Sequence, residues 1–185
     1  MQIKSKQKAF TLLELLVVIA ILALLVGLGL RTFGSVQQKS RDSRRKQDLQ
    51  NISKAMELYY NDFKHYPFSS NGKIMGCGTD SLELCNWGDP WKNSVNQTLY
   101  MSELPQDFTG SQYYYLTDEY GTSYSFFAHL ENEEDSNVVL NVSGEPAYYS
   151  GTYCLVIDTV LSASTCNYVV MSTNVITTPE IVDSY

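Results

Sequence analysis

The sequence predicts an α+β fold in which one long N-terminal helix packs on a small C-terminal antiparallel β-sheet. Three observations favour it: an apolar run of 21 residues at Phe10–Leu30, the absence of proline before Pro67, and short strand-like runs separated by turns after residue 110. The chain has 185 residues, which suits one modest globular domain after an apolar segment.

The run Phe10–Leu30 contains a single charged residue, Glu14. As a helix it would be roughly 32 Å long, which is enough to cross a bilayer. A carboxylate in such a segment costs up to ~3 kcal/mol on insertion, so membrane crossing alone does not explain Glu14. Two interpretations remain at this point: a carboxylate tolerated near the headgroups, or a partner for another charged group.

A short basic leader precedes this run and carries Lys4, Lys6 and Lys8. The apolar run is too long for a secretory signal peptide, and no small-residue cleavage site follows it. The only small residue at the boundary between polar and apolar sequence is Ala9. Cleavage between Ala9 and Phe10 would therefore leave the apolar helix on the mature protein.

The segment Lys8-Ala9-Phe10-Thr11-Leu12-Leu13-Glu14, with the apolar run after it, resembles the prepilin leader of type IV pilins and type II secretion pseudopilins. The resemblance covers about the first 30 residues and implies a pilin-like fold. It also implies cleavage before Phe10 by a membrane prepilin peptidase, which methylates the new amino group of Phe10. The family's usual residue before the cut is Gly, whereas this chain has Ala9.

That cleavage would place an ammonium group at Phe10, four residues before Glu14. In a bundle of such helices, each new N-terminus could pair with a carboxylate of its own or a neighbouring chain. Leaving one partner of a buried charge pair alone costs several kcal/mol, so Glu14 is predicted to be an assembly residue that sets the register between subunits.

Beyond Leu30 the helix is predicted to continue to about His65, which gives a leader at 1–9, an assembly helix at 10–30, an amphipathic continuation at 31–66 and a globular domain at 67–185. An apolar stripe recurs at spacings of 3, 4, 3 and 4: Leu49, Ile52, Met56, Tyr59 and Phe63. Asp42–Lys46 fits a solvated face. The glycines at 27, 29 and 34 favour either a point where the helix extends or close helix packing.

After Tyr66-Pro67 we expect a long loop to about Gln97, a short helical turn at Leu99–Leu104, and then strands. The predicted strands are Tyr113–Leu116, Tyr124–Leu130, Val138–Val142, Thr152–Ile157 and Tyr168–Ile176. Asp118–Thr122 reads as a hairpin turn that contains Gly121.

The chain has four cysteines, Cys77, Cys85, Cys154 and Cys166, and no C-x-x-C spacing that would favour zinc. Three disulfide pairings are open, of which the simplest is the local one that joins Cys77 to Cys85 and Cys154 to Cys166. Four buried thiols are the alternative. Disulfides require an oxidising compartment, so they would place the globular domain outside the cytoplasm.

Charge is segregated along the chain. All 13 Lys and Arg lie at or before Lys92, and twelve Asp or Glu follow it. An acidic half without cations argues against nucleic-acid binding there. The acidic run Glu131–Asp135 is compatible either with calcium ligation by oxygen atoms or with an exposed turn. His65 and His129 lack a nearby nucleophile motif, so we predict no enzyme.

Together these features predict a structural subunit of a pilus-like or pseudopilus filament, whose partners are further subunits, the prepilin peptidase and, before assembly, membrane lipid. The expected topology is a single pass through the inner membrane, with the N-terminus cytoplasmic and the globular domain outside, finally on the cell surface or in the periplasm. Counting basic residues around the helix favours the opposite orientation, but the resemblance and the cysteines favour this one. The alternative function is a membrane-tethered binding domain that never polymerises.

Overall fold

The computed structural model describes residues 10–78, 83–93, 95, 97–107, 111–154, 164–175 and 179–183, without the side chains of residues 28–32 and 183. The chain divides into two compact units, with the boundary between Ser40 and Arg41. One α-helix, α1 (Leu12–Phe63), contributes to both. No helical stretch within the described residues has the length and apolar character that a bilayer crossing requires.

The helix ends close to where the sequence predicted. Lys64 adopts a left-handed backbone with φ of 62°, and its N–H donates to the carbonyl of Tyr60 at 2.8 Å. A left-handed residue just past the last turn is a common way to stop a helix. Tyr66-Pro67 follows and prevents the helix from resuming.

The second unit adds short strands to the C-terminal part of α1. In the described residues they are β1 (Ser69–Ser70), β2 (Lys73–Cys77), β3 (Glu83–Leu84), β4 (Trp91–Lys92), β5 (Leu99–Met101), β6 (Tyr114–Thr117), β7 (Tyr124–Ala128), β8 (Ala147–Tyr149), β9 (Tyr168–Met171) and β10 (Ile181–Asp183). They form small antiparallel sheets in the orders β1-β2-β3, β4-β5, β6-β7-β9 and β10-β8. The α+β prediction is therefore confirmed.

The sheet β6-β7-β9 is built on aromatic strand formers. Its central strand pairs Phe126 with Tyr115 on one side and with Val170 on the other. The predicted hairpin turn at Asp118–Thr122 joins β6 to β7, and the Asp118 carboxylate accepts the N–H groups of Thr122 (2.6 Å) and Ser123 (2.9 Å). An aspartate that bonds the backbone ahead of it stabilises such a turn.

The apolar stripe of α1 forms the core of this unit, as predicted. Leu49, Ile52 and Met56 are fully buried, and Tyr59 is nearly so. Tyr59 packs against Trp91 of β4 and Tyr100 of β5, with ring centroids 5.7 and 5.2 Å apart. Each large side chain buried in this way stabilises the fold by roughly 1.5–3 kcal/mol.

Two disulfides fasten the loops of the second unit. They join Cys77 to Cys85 and Cys154 to Cys166, which is the local pairing, and the described cysteines include no free thiol. The loops they close are short, so the chain-entropy model assigns each about 2.5–3 kcal/mol.

Several predicted elements were wrong. Leu99–Leu104 is not a helical turn, because Leu99–Met101 pairs with β4 as a strand. Val138–Val142 is not a strand; it contributes only the isolated bridge between Leu140 and Pro146 around a turn. The strand predicted at Tyr168–Ile176 ends at Met171, residues 172–175 are not in a strand, and Ile176 lies outside the described residues.

The loop predicted up to Gln97 contains β1 to β4. Of Thr152–Ile157, the part to Cys154 is not a strand, and residues 155–157 lie outside the described residues.

Candidate assembly site

The start of α1 is closed by reciprocal hydrogen bonds between Thr11 and Glu14. The N–H of Glu14 donates to Thr11 Oγ1 at 3.2 Å, while the N–H and the hydroxyl of Thr11 donate to Glu14 Oε2 at 3.1 and 3.0 Å. This arrangement is a capping box, which satisfies N–H groups that have no partner inside the helix. The sequence analysis assigned Glu14 to assembly and missed this local role, although the spacing Thr-x-x-Glu signals it.

The cap leaves Glu14 able to bind a further donor. Both bonds from Thr11 reach the same oxygen, Oε2, and each carboxylate oxygen has two lone pairs. Phe10 directly precedes the cap, and its side chain is 83% exposed. The predicted leader Met1–Ala9, with Ala9 of the predicted cut site, lies outside the described residues.

The first unit presents apolar side chains on all sides of α1. From Leu12 to Val26, every Leu, Ile and Val is at least 46% exposed. A helix that is apolar all round normally lies in lipid or among other helices. The exposed apolar side chains therefore make this part of the helix suited to packing.

In the second unit, a charge network fixes the first turns that follow Ser40. The guanidinium of Arg45 donates to Asp107 at 2.5 Å, to Asp42 at 2.7 Å and to Glu131 at 2.7 Å. Arg41 also forms an ion pair with Glu131. The side chains of Arg45, Asp42 and Asp107 are only 1–2% exposed, so the prediction of a solvated face at Asp42–Lys46 was wrong at these positions.

The network shifts the pKa values of Glu131 and Arg45 in the direction that keeps both side chains charged. The hydrogen bond from Arg41, followed by that from Arg45, lowers the pKa of Glu131 to about 2 against the opposing effect of burial. Burial disfavours the Arg45 cation, but bonds to Asp107 and Glu131 outweigh it and raise the pKa of Arg45. These ion pairs therefore persist through neutral and mildly acidic pH.

The acidic run Glu131–Asp135 is held by side chains of α1. The Asp42 carboxylate accepts the N–H groups of Glu131 (3.0 Å) and Asn132 (2.9 Å), and Lys46 donates to Asp135 at 2.6 Å. Two of the carboxylates considered as calcium ligands, those of Glu131 and Asp135, are thus paired with cationic side chains of the protein. Among the described residues, no group of three or more His, Cys, Asp or Glu is arranged to hold a metal ion.

Both histidines bind backbone carbonyl groups. Nδ1 of His65 lies 2.8 Å from the carbonyl oxygen of Tyr66, and Nδ1 of His129 lies 2.8 Å from that of Thr165. Each ring also stacks on an aromatic neighbour, Phe68 for His65 and Tyr148 for His129. These contacts assign both imidazoles structural positions in the fold.

Known proteins resemble both the N-terminus and the larger part of this chain. Residues 4–30 match the family described as the prokaryotic N-terminal methylation motif. The type II secretion system core protein G of Aeromonas hydrophila is 30% identical over 114 residues, which cover 62% of this chain and 76% of the relative.

Its Klebsiella pneumoniae counterpart is 30% identical over 113 residues, covering 61% and 76%. The Escherichia coli protein is 29% identical over 113 residues, covering 61% and 74%. No solved structure matches the chain.

Proposed function

Since this chain belongs to the pseudopilin family of type II secretion core protein G, we propose that it is a structural subunit of a pseudopilus-like filament. The observation that carries the proposal is the start of α1, where a capped carboxylate at Glu14 adjoins a helix with apolar side chains on every side. A helix of this kind polymerises by packing against copies of itself, with Glu14 fixing the register.

Processing is the first step of the proposed pathway. A prepilin peptidase removes the leader 1–9 by cutting between Ala9 and Phe10, and the new amino group of Phe10 is methylated. The three leader lysines, the small residue Ala9 and the match at residues 4–30 support this step. Mass spectrometry of the protein from cells with an active prepilin peptidase should give Phe10, methylated, as the N-terminal residue. Recovery of intact Met1 would contradict it.

Before assembly the subunit is proposed to be held in the inner membrane by the apolar sequence Phe10–Leu30, with the leader in the cytoplasm. The continuation at 31–66 and the globular domain at 67–185 then lie outside the cytoplasm. The two disulfides support that side, because such bonds persist in oxidising compartments. Polymerisation transfers the apolar helix from lipid into the bundle of helices that forms the filament.

Glu14 is proposed to meet the amino group of Phe10 on its own or a neighbouring chain within that bundle. Methylation retains the positive charge of this group, so the pairing survives it. The variant Glu14→Gln keeps the size of the side chain but removes its charge. It should reach the membrane and lose its leader, yet form no filaments, because the N-terminal cation would be buried without a partner.

Thr11→Ala is the matched control, because it removes the hydroxyl of the cap but keeps the carboxylate. The cap is worth about 1 kcal/mol, so filaments should still form in this variant. Sheared and pelleted filaments, imaged by electron microscopy, report the outcome. Wild-type filament yield from Glu14→Gln would refute the pairing role, and a loss of filaments equal in both variants would assign the effect to the cap.

A further inference from the structure

Four of the five residues in the acidic run Glu131–Asp135 carry a carboxylate, and only Asn132 is neutral. Carboxylates this close together repel each other, so they stay ionised together only where a positive charge lies nearby. A calcium ion bound through oxygen atoms is one source of that charge, and cationic side chains of the protein are the other. The contacts of the described residues distinguish the two sources.

The counter-charge comes from one side of α1, on which Arg41 and Arg45 are neighbours one helical turn apart. Arg41 Nε donates to both oxygens of Glu131, at 2.9 and 3.1 Å, and Arg45 Nη2 donates to Glu131 Oε1 at 2.7 Å. At the other end of the run, Lys46 Nζ donates to Asp135 Oδ1 at 2.6 Å. Both ends of the acidic run are therefore neutralised by cations of the same chain.

The other contacts of the run direct its oxygen atoms and its backbone to separate partners. The Asp42 carboxylate faces the N–H groups of Glu131 and Asn132, which donate to it at 3.0 and 2.9 Å. Asp135 Oδ1 also accepts the N–H of Asn137 at 2.9 Å. Calcium takes about six to eight oxygen atoms that converge on one point. In the part of the chain that the structure describes, no three His, Cys, Asp or Glu side chains converge in this way. The donor set therefore fits cationic side chains and does not fit calcium.

We propose that Arg41, Arg45 and Lys46 take the place of a bound calcium ion at the acidic run, so that the second unit folds and stays folded without a divalent cation. The side chain of Arg45 is 1% exposed, and those of Arg41, Lys46, Glu131 and Asp135 are 21–26% exposed. Salt screens partly buried ion pairs less than pairs on the open surface, so this arrangement holds at physiological ionic strength. The inference goes beyond the proposed function, because it concerns the folding of a single subunit before any filament forms.

Thermal unfolding of the full-length protein in detergent tests this inference. One sample contains excess EDTA and the other contains millimolar CaCl2, with NaCl added to the first so that the ionic strengths are equal. A protein of this size that binds calcium only when folded gains roughly 5–10 °C in Tm when the free ion is at about 100 times its Kd. The wild type should show the same Tm in both samples, because its carboxylates already have their counter-charge.

The double variant Arg41→Gln/Lys46→Gln removes the two partly exposed cations that bind the run. Its Tm in EDTA should be a few degrees below that of the wild type, because Glu131 and Asp135 lose hydrogen bonds to cations. Calcium should restore part of this loss, because the released carboxylates can then take their counter-charge from solution.

Arg44→Gln/Lys54→Gln is the matched control, because it removes the same two kinds of side chain from exposed positions of α1 and should leave both Tm values close to those of the wild type. A wild-type Tm that falls in EDTA would show that calcium holds the run and would overturn the inference. A variant Arg41→Gln/Lys46→Gln that unfolds like its control, or whose Tm is the same in both samples, would overturn it as well. These measurements use unassembled protein, so a failure to form filaments would overturn the proposed function alone.

Discussion

Replacing Arg45 with methionine should destabilise the second unit strongly. The side chain is 1% exposed and its guanidinium bonds Asp107, Asp42 and Glu131. Methionine fills much of the same space but removes the guanidinium that pairs with the Asp42 and Asp107 carboxylates, each 2% exposed. Breaking a buried ion pair in this way costs about 3–5 kcal/mol, which is the expected fall in the free energy of unfolding at pH 7.

Urea unfolding of the processed protein in detergent, followed by tryptophan fluorescence, measures this loss. Arg44→Met is the matched control, because Arg44 is the adjacent residue and is exposed. An exposed substitution of this kind usually changes the free energy of unfolding by about 0.5 kcal/mol or less. The two variants therefore differ in burial rather than in the chemistry of the change.

The pH dependence gives a second, independent readout. In Arg45→Met, Glu131 loses one of the two arginine hydrogen bonds that lower its pKa to about 2, so its folded-state pKa should move back towards the unfolded value of 4.5. Wild type loses this stabilisation as pH falls from about 4.5 towards 2, so the deficit of the variant relative to wild type should shrink over that range. A loss below about 1 kcal/mol, a loss equal to that of Arg44→Met, or a deficit that does not depend on pH would refute the reasoning.

Two further predictions concern the same unit. The bonds from Arg41 and Arg45 lower the pKa of Glu131 from 4.5 to about 2. The ion pair of Glu131 therefore stabilises the fold fully above pH ~4.5, and this stabilisation is lost as pH falls towards about 2. The full shift corresponds to ~3 kcal/mol, which solvent screening reduces to about 1–2 kcal/mol. Glu131→Gln should lower the free energy of unfolding by about 1–2 kcal/mol at pH 7 and by almost nothing at pH ~2. The exposed control Glu133→Gln should leave the free energy of unfolding unchanged at both pH values. A loss in Glu131→Gln that persists at pH ~2 would contradict the assignment. Met56→Ala should cost about 2–5 kcal/mol because the side chain is fully buried, while Leu58→Ala, at a position 56% exposed, should cost far less; equal shifts of the urea midpoint would show that the stripe is not the core.

The helix and its stripe were predictable because both are encoded locally. A spacing of three and four residues places Leu49, Ile52 and Met56 on one side of a helix whatever lies opposite, and all three are fully buried. The capping box was equally readable from Thr11 and Glu14, three residues apart. Each of these signals is contained within a few turns of helix.

The charge network was not predictable, because its partners are distant in sequence. Arg45 binds Asp107 across 62 residues and Glu131 across 86 residues. A run of charges such as Asp42–Lys46 looks solvated until those loops are placed against it. The same limit applies to Leu99–Met101, whose strand conformation depends on pairing with Trp91–Lys92 in a segment predicted as loop.

Two different kinds of interaction therefore act along α1, and they favour different partners. From Arg45 to Tyr59 the helix is held by partners within its own chain, first through buried ion pairs and then through the apolar stripe. From Leu12 to Val36 the described Leu, Ile, Val and Phe side chains are exposed. Isolated helices gain little stability from propensity alone, so this exposed part requires lipid or neighbouring helices to cover it. Glycine at positions 27 and 34 fits that requirement, because a Cβ built there would meet no described atom within 4 Å apart from the adjacent backbone of the helix itself, and the open space admits close approach by another helix.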